Sequence, residues 1–192
     1  AGVDRDLVRA AIEARRGARR VLPFRYVAAA RAAPALEPAI DKALCAAIAE
    51  LPPLNGRTGV LVDVPGSMDV ALSGKSDMRR IDAAAALASV INAEDLEVAT
   101  FSQHLVPVPP RRGMAGVDAV IKSQLHSATY LGQALMAFQT QIGRPPFDRL
   151  IVITDEQSHD VVPAPKAKHA YLINVASYQH GVGYRNGWTH LD

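Results

Sequence analysis

The chain has 192 residues, of which 49% are hydrophobic and 21% are charged, and its formal net charge is +2. This balance fits one domain of ordinary size with a real core, plus a smaller appendage. No apolar stretch reaches the roughly 18 to 20 residues that a membrane-spanning helix needs, and the charged run Asp4-Arg5-Asp6 differs from a secretory signal. We therefore expect a cytoplasmic protein that has no membrane partner.

Positive charge is concentrated in the first part of the chain. Residues 1–31 contain eight arginines and three carboxylates, a net charge of +5, whereas the remainder carries −3. Arginine binds phosphate through two parallel hydrogen bonds, so a cluster of arginines is a candidate RNA-contact surface. The candidate residues are Arg15, Arg16, Arg19 and Arg20. The alternative is a solvated helix face that has no ligand.

The first 50 residues have a helical pattern. Apolar residues recur at spacings of three and four, which is the period of an amphipathic helix; the clearest set is Leu36, Ile40, Leu44, Ile48 and Leu51. Two prolines and an Asn-Gly pair follow at 52–56, and these residues end helices and form turns. The predicted division is a basic helical segment with its linker at 1–56 and a separate domain at 57–192.

After the linker, short apolar runs alternate with helical patterns. Strands are predicted at 58–64, 96–101, 105–109, 149–154 and 170–175, and helices at 78–93, 116–124 and 131–142. Strands 96–101 and 105–109 lie too close for a crossover helix, so they must pair antiparallel, and the prolines of the second place it at the sheet edge. Residues 178–192 show no clear period and are predicted to form a loop. The pattern predicts an α/β fold with a mainly parallel sheet, one antiparallel edge strand and helices on both faces.

Side chains with oxygen atoms follow several of these strands. Asp63 and Ser67 come after the first strand, Thr129 precedes a helix, and Asp155 ends the strand at 149–154. Open α/β sheets hold ligands at the carboxyl ends of their strands, and hard oxygen ligands favour divalent cations. The sequence therefore predicts a metal site formed by these four residues. The alternative is that they merely cap helices and turns.

The same residues resemble the metal-ion-dependent adhesion site (MIDAS) of von Willebrand factor A (vWA) domains. The family pattern is D-x-S-x-S, then T, then D; here it reads Asp63-Val-Pro-Gly-Ser67, Thr129 and Asp155. The flanking stretches Pro-Pro-Leu-Asn-Gly-Arg-Thr58, Ala99-Thr-Phe-Ser102 and Leu150-Ile-Val-Ile-Thr-Asp155 resemble the C-terminal vWA module of Ro ribonucleoproteins, also called TROVE-domain proteins. By this resemblance, 1–56 corresponds to the end of a helical-repeat region.

The resemblance implies a Rossmann-like vWA fold and a non-enzymatic interaction module. It implies that Asp63, Ser67, Thr129 and Asp155 hold Mg²⁺, with Mn²⁺ or Ca²⁺ as alternatives, and that the ion accepts an acidic group of a partner. The implied partners are an acidic protein ligand or an RNA–protein complex, with small structured RNA as a further candidate. Pro65 replaces the first serine of the pattern, so one hydroxyl ligand is missing and a weak or empty site is expected. The alternative is a generic vWA protein-binding domain with no RNA role.

An enzymatic alternative uses the same loops. Ser67, Asp155 and His159 form the residue set of a serine hydrolase. The nucleophile elbow of such enzymes requires Gly-x-Ser-x-Gly, whereas this chain reads Pro-Gly-Ser-Met-Asp at 65–69. Both outer glycines are absent, so the sequence predicts a protein that is not an enzyme.

Overall fold

The computed structural model describes residues 4–18, 21–74, 78–141, 143–176 and 187–191. Three helices come first: α1 (Arg5–Glu13), α2 (Pro23–Ala32) and α3 (Glu37–Ala49). The Asp4 side chain caps α1 by accepting the backbone N–H of Asp6. Helices α2 and α3 each carry a proline in the first turn, where its missing N–H costs no hydrogen bond.

The rest of the chain builds a six-stranded sheet with helices on both faces. Its elements are β1 (Leu54–Asp63), α4 (Arg80–Val90), β2 (Ala93–Phe101), β3 (Leu105–Val108), α5 (Gly113–Ile121), α6 (Leu131–Gln139), β4 (Phe147–Thr154), β5 (Ala167–Asn174) and β6 (Thr189–Leu191). The strand order is β3-β2-β1-β4-β5-β6. Strand β3 pairs antiparallel with β2, and all other pairs are parallel. This confirms the predicted α/β fold with one antiparallel edge strand.

The central strand β1 is buried on both faces, so its successive side chains enter two separate cores. Val60 and Val62 belong to a cluster that includes α4 and α5. Leu61 belongs to a second cluster, which includes α6. Val27 of α2 and Leu44 of α3 are fully buried in the first cluster. The helices that precede the sheet therefore share its hydrophobic core.

Most predicted element bounds differ from the structure by up to four residues, and two regions predicted as linker or loop contain strand residues. Strand β1 begins at Leu54 rather than at residue 58, so Asn55 and Gly56 of the predicted linker are part of the strand. Gly56 has a φ of 80°, and the pairing of β1 with β2 shifts register between Leu54 and Arg57; glycine tolerates this irregular backbone. In the predicted C-terminal loop, 189–191 form strand β6, while 178–186 and 192 lie outside the described residues. All three β6 residues are exposed, so they give no alternating pattern.

The strand order reverses at the central strand β1. The chain runs from β1 to β2 on one side, whereas β4 pairs with β1 on the other side. Ligands of open α/β sheets bind where the order reverses in this way, outside the carboxyl ends of the strands. Asp63 ends β1 and Asp155 directly follows β4, so both carboxylates stand at this point.

Candidate functional site

Asp63 is completely buried at the end of β1. Its Oδ2 accepts a hydrogen bond from the Thr154 hydroxyl at 2.5 Å, and Thr154 Oγ1 accepts the backbone N–H of Glu156 at 3.0 Å. Burial raises the pKa of Asp63 well above its usual value of 3.8. Hydrogen bonds from the Thr154 hydroxyl and the Asp155 backbone oppose this shift, and the charge of Asp155 adds to it. The fold thus holds a carboxyl group where its charged form is costly without a cation.

Ser67 lies in a short 3₁₀ helix, Gly66–Asp69, that follows β1. The helix is anchored by Met68, whose side chain is fully buried in the core and whose N–H donates to the Pro65 carbonyl at 2.9 Å. The Ser67 carbonyl accepts a hydrogen bond from Arg80 Nη1 at 3.3 Å. The predicted metal-binding serine is therefore held on a fixed turn beside the end of β1.

Asp155 is fully buried and forms an ion pair with Arg80. Arg80 Nη1 donates to Asp155 Oδ2 at 3.1 Å, and only 8% of Arg80 is exposed. Sequence reasoning missed Arg80 as a member of the site. Its only signal was an arginine at the start of an alanine-rich helix, and that position does not reveal which carboxylate the arginine contacts.

Three buried oxygen atoms of the predicted metal ligands have no hydrogen-bond partner within the described residues. They are Asp63 Oδ1, Ser67 Oγ and Asp155 Oδ1. Buried polar atoms are paired in most proteins, and exceptions call for an explanation such as an ion. Two carboxylate oxygens and a hydroxyl are hard donors of the kind that Mg²⁺ and Mn²⁺ prefer. The residues present therefore fit a divalent cation.

Thr129 stands on the same edge, in the segment that leads into α6. It is buried, and its carbonyl accepts the backbone N–H of His159 at 2.9 Å. The Thr129 N–H donates to His159 Nδ1 at 3.2 Å. On the other side, the N–H of Tyr130 donates to the Ser102 carbonyl at 3.1 Å. The Thr129 segment is thus tied both to the end of β2 and to the segment that follows β4.

The candidate donors are oxygen atoms, not the thiolate and imidazole ligands that are typical of structural zinc sites. Across the described ranges, no group of three or more His, Cys, Asp or Glu side chains is placed to hold a metal ion. The predicted set contains two carboxylates and two hydroxyls, which matches a weakly held hard cation better than a structural zinc ion.

The four predicted RNA-contacting arginines differ in their surroundings. Arg15 donates to Glu50 through Nη1 at 2.7 Å and Nη2 at 3.1 Å, and its side chain is 14% exposed. Arg16 is exposed, whereas Arg19 and Arg20 lie outside the described residues. The Arg15 guanidinium thus links the end of α1 to the end of α3, and Arg16 is the exposed member of the two described arginines.

Within the part of the chain that the structure describes, we find no helix with both the length and the apolar character that crossing a membrane requires.

Comparisons with known proteins give matches among solved structures only. No protein-family model and no curated protein matches the chain. The Ro (RSR) protein of Deinococcus radiodurans superposes with a TM-score of 0.68 at 19% identity, over 99% of this chain and 46% of that protein. The chain therefore spans less than half of that protein's length.

Two further structures match part of the chain. A multiply serine-substituted form of an aerotolerance-related membrane protein from Bacteroides fragilis has a TM-score of 0.45 at 19% identity, over 62% of this chain and 67% of that chain. BatB from Bacteroides thetaiotaomicron has a TM-score of 0.46 at 17% identity, over 62% and 66%. With the strand order above, the likeness to the Ro protein shows that this chain has a vWA-like fold.

Proposed function

We propose that the chain is a non-enzymatic interaction module that binds a divalent cation, Mg²⁺ or its close substitute Mn²⁺, at the ends of β1 and β4. The observation that carries this proposal is the set of three buried, unpartnered oxygens on Asp63, Ser67 and Asp155. A bound cation would supply an electrophilic centre for an acidic group of a partner, because two carboxylates leave a divalent ion close to neutral.

Each residue has a distinct role in this proposal. Asp63 Oδ1, Ser67 Oγ and Asp155 Oδ1 hold the cation, and the Thr129 hydroxyl joins them directly or through water. Thr154 engages the second oxygen of Asp63 and so fixes the direction of the first. Pro65 offers no hydroxyl where the vWA pattern has one, so water takes that position and the affinity is lower than that of a complete site.

The surroundings of the site favour a protein partner. Each of the three loops at this edge carries one exposed aliphatic side chain: Val70 is 51% exposed, Leu125 is 89% exposed and Val161 is 91% exposed. Exposed apolar groups beside a polar centre are typical of protein-binding surfaces. The partner that fits is a segment with an Asp or Glu side chain between apolar residues.

Contacts of the serine and histidine support binding rather than catalysis. A nucleophilic serine needs a base within hydrogen-bond reach. Ser67 Oγ has no hydrogen-bond partner in the described residues, and His159 Nδ1 is occupied by the backbone of Thr129. These contacts fit a ligand-holding hydroxyl.

We further propose that the module works in an RNA-associated assembly of the Ro/TROVE type. The fold likeness to the Ro protein of Deinococcus radiodurans supports this context. The exposed arginines Arg16 and Arg25, which line one groove between the N-terminal helices, provide phosphate-binding groups. The alternative is a vWA-like protein-binding module without an RNA role.

Thermal melting in Mg²⁺ or Mn²⁺ tests the metal proposal. A cation that binds only the native protein raises the free energy of unfolding by RT ln(1 + [L]/Kd), so the melting temperature should climb as the cation is added. Asp63→Asn keeps the shape of the side chain and the Thr154 contact but loses the charge. Its melting temperature should not rise when the cation is added. Asp69→Asn is the matched control, because Asp69 pairs with Arg79 and His126; it should respond like the wild type. The same response in Asp63→Asn as in the wild type would refute the site.

A further inference from the structure

We propose that Arg80 is a built-in competitor for the metal site: its guanidinium must leave Asp155 before a divalent cation can be held, so Arg80 sets the cation affinity. This inference rests on the proposed function. It concerns a residue that belongs to no part of the vWA pattern quoted above.

Arg80 contacts two of the three residues that carry the unpartnered oxygens. Its Nη1 lies 3.1 Å from Asp155 Oδ2 and 3.3 Å from the Ser67 carbonyl oxygen. Asp155 is completely buried, and Arg80 is 8% exposed. The guanidinium is therefore buried against the same two residues, Asp155 and Ser67, whose other oxygen atoms would bind the cation.

The charges explain why the two cations compete. A buried carboxylate is stable only when it is paired, and Arg80 already neutralises Asp155. A divalent ion bound to Asp155 would lie close to the buried guanidinium, where like charges repel more strongly than they do in bulk water. Binding of the ion therefore requires the Arg80–Asp155 ion pair to break. The free energy needed to break the pair makes metal binding weaker.

Arg79, the preceding residue, provides a matched comparison. Its Nη1 donates to Asp69 at 2.9 Å and its Nε donates to Asp82 at 3.2 Å, and 41% of its side chain is exposed. It has the same charge as Arg80 and is its neighbour in sequence, but it pairs with carboxylates outside the predicted ligand set. Removal of Arg79 should therefore leave the metal affinity nearly unchanged.

Direct Mn²⁺ binding, followed by the electron paramagnetic resonance signal of the free ion, tests the proposal. Arg80→Gln should bind Mn²⁺ about tenfold tighter than the wild type or more, which corresponds to about 1.4 kcal/mol per factor of ten. Arg80→Lys keeps the charge and should stay close to the wild-type affinity, as should Arg79→Gln. A gain in Arg80→Lys equal to that in Arg80→Gln would contradict competition by charge.

The outcomes separate this inference from the proposed function. If the wild type binds Mn²⁺ and Arg80→Gln binds no tighter, Arg80 is not a competitor and the metal site stands. If only Arg80→Gln binds, the competition is supported and metal binding by the wild type is refuted. No binding by any variant overturns both. Should Arg80→Gln be unfolded in a chelator because Asp155 has lost its partner, Mn²⁺ is expected to restore folding, and a failure to restore it counts against the proposal.

Discussion

The Thr154 hydroxyl donates to Asp63 Oδ2 at 2.5 Å, across the pairing between β4 and β1. Both side chains are buried, at 1% and 0% exposure. One carboxylate oxygen is thereby engaged within the sheet while Oδ1 is left unpartnered. Asp63 is thus oriented by two paired strands, which is the arrangement expected for a member of a preorganised binding site.

Replacement of Thr154 by valine should weaken both the fold and the site. The valine has nearly the same shape but leaves Asp63 Oδ2 and the Glu156 N–H without their partner. We expect a loss of about 1–3 kcal/mol in the free energy of unfolding, measured by urea denaturation. Thr154→Ser retains the hydroxyl and should lose clearly less. Equal losses in the two variants would show that the hydroxyl is unimportant.

Replacement of Gly132 by alanine should displace the segment that follows β4. A Cβ at Gly132 would overlap the Val161 carbonyl oxygen and lie 2.9 Å from Asp160 Oδ2. Asp160 caps α6 by accepting the N–H groups of Gly132 and Gln133 at 2.9 and 2.8 Å. Steric overlap of this kind costs about 1–3 kcal/mol, which should appear in the free energy of unfolding.

The same change should also reduce the response to Mg²⁺, because the displaced segment carries His159, which holds Thr129. Gly66→Ala is the control: a Cβ there meets nothing within 4 Å, so its effect should stay within about 0.5 kcal/mol. A normal Mg²⁺ response in Gly132→Ala would show that this segment does not position the site.

Replacement of Glu97 by glutamine should change how stability depends on pH. Burial raises the pKa of Glu97, but hydrogen bonds from Arg57 and Gln141 and the charges of Arg57 and Arg144 outweigh it, so the pKa lies below its usual value of 4.5. A depressed folded-state pKa gives stability that is fully present above pH 4.5 and is lost as the pH falls through the folded-state value. Glu97→Gln should therefore be less stable at pH 7, and the difference from the wild type should shrink under acid.

Chemical denaturation between pH 3 and pH 7 checks this expectation. Glu94→Gln is the control, since Glu94 lies on the same strand and accepts one backbone N–H from Gly56. A difference between Glu97→Gln and the wild type that stays constant with pH would contradict the role of the carboxylate charge.

We expect Arg15 to contribute to the stability of the N-terminal helices and Arg16 to contribute to RNA binding. Arg15→Ala breaks the pair with Glu50, whose side chain is 66% exposed, and should cost up to about 1 kcal/mol. Arg16→Ala should leave the free energy of unfolding unchanged.

RNA binding tests the role of Arg16. With a structured RNA hairpin as the probe, Arg16→Ala should lower the slope of log affinity against log salt by about 1 if Arg16 contacts phosphate. An unchanged slope would remove Arg16 from the RNA proposal.

The sequence was sufficient to predict five of the six described strands, because the central ones are continuous apolar runs such as Leu150–Thr154 that need no knowledge of their neighbours. The same rule placed Asp63 and Asp155 at one edge. It could not supply Arg80, because the Arg80–Asp155 pair joins residues 75 positions apart. Nor could it show that Arg15 faces Glu50, 35 positions away. Such pairings are set by the packing of distant elements, which local patterns do not encode.

Metal binding at the ends of β1 and β4 is tested most directly by anomalous diffraction from a crystal of the full chain soaked in Mn²⁺. We expect one anomalous peak within coordination distance of Asp63 Oδ1, Ser67 Oγ and Asp155 Oδ1, with the Arg80 guanidinium moved away from Asp155. A peak that lies elsewhere would contradict metal binding at this place, as would the absence of a peak at saturating Mn²⁺ while Arg80 stays on Asp155.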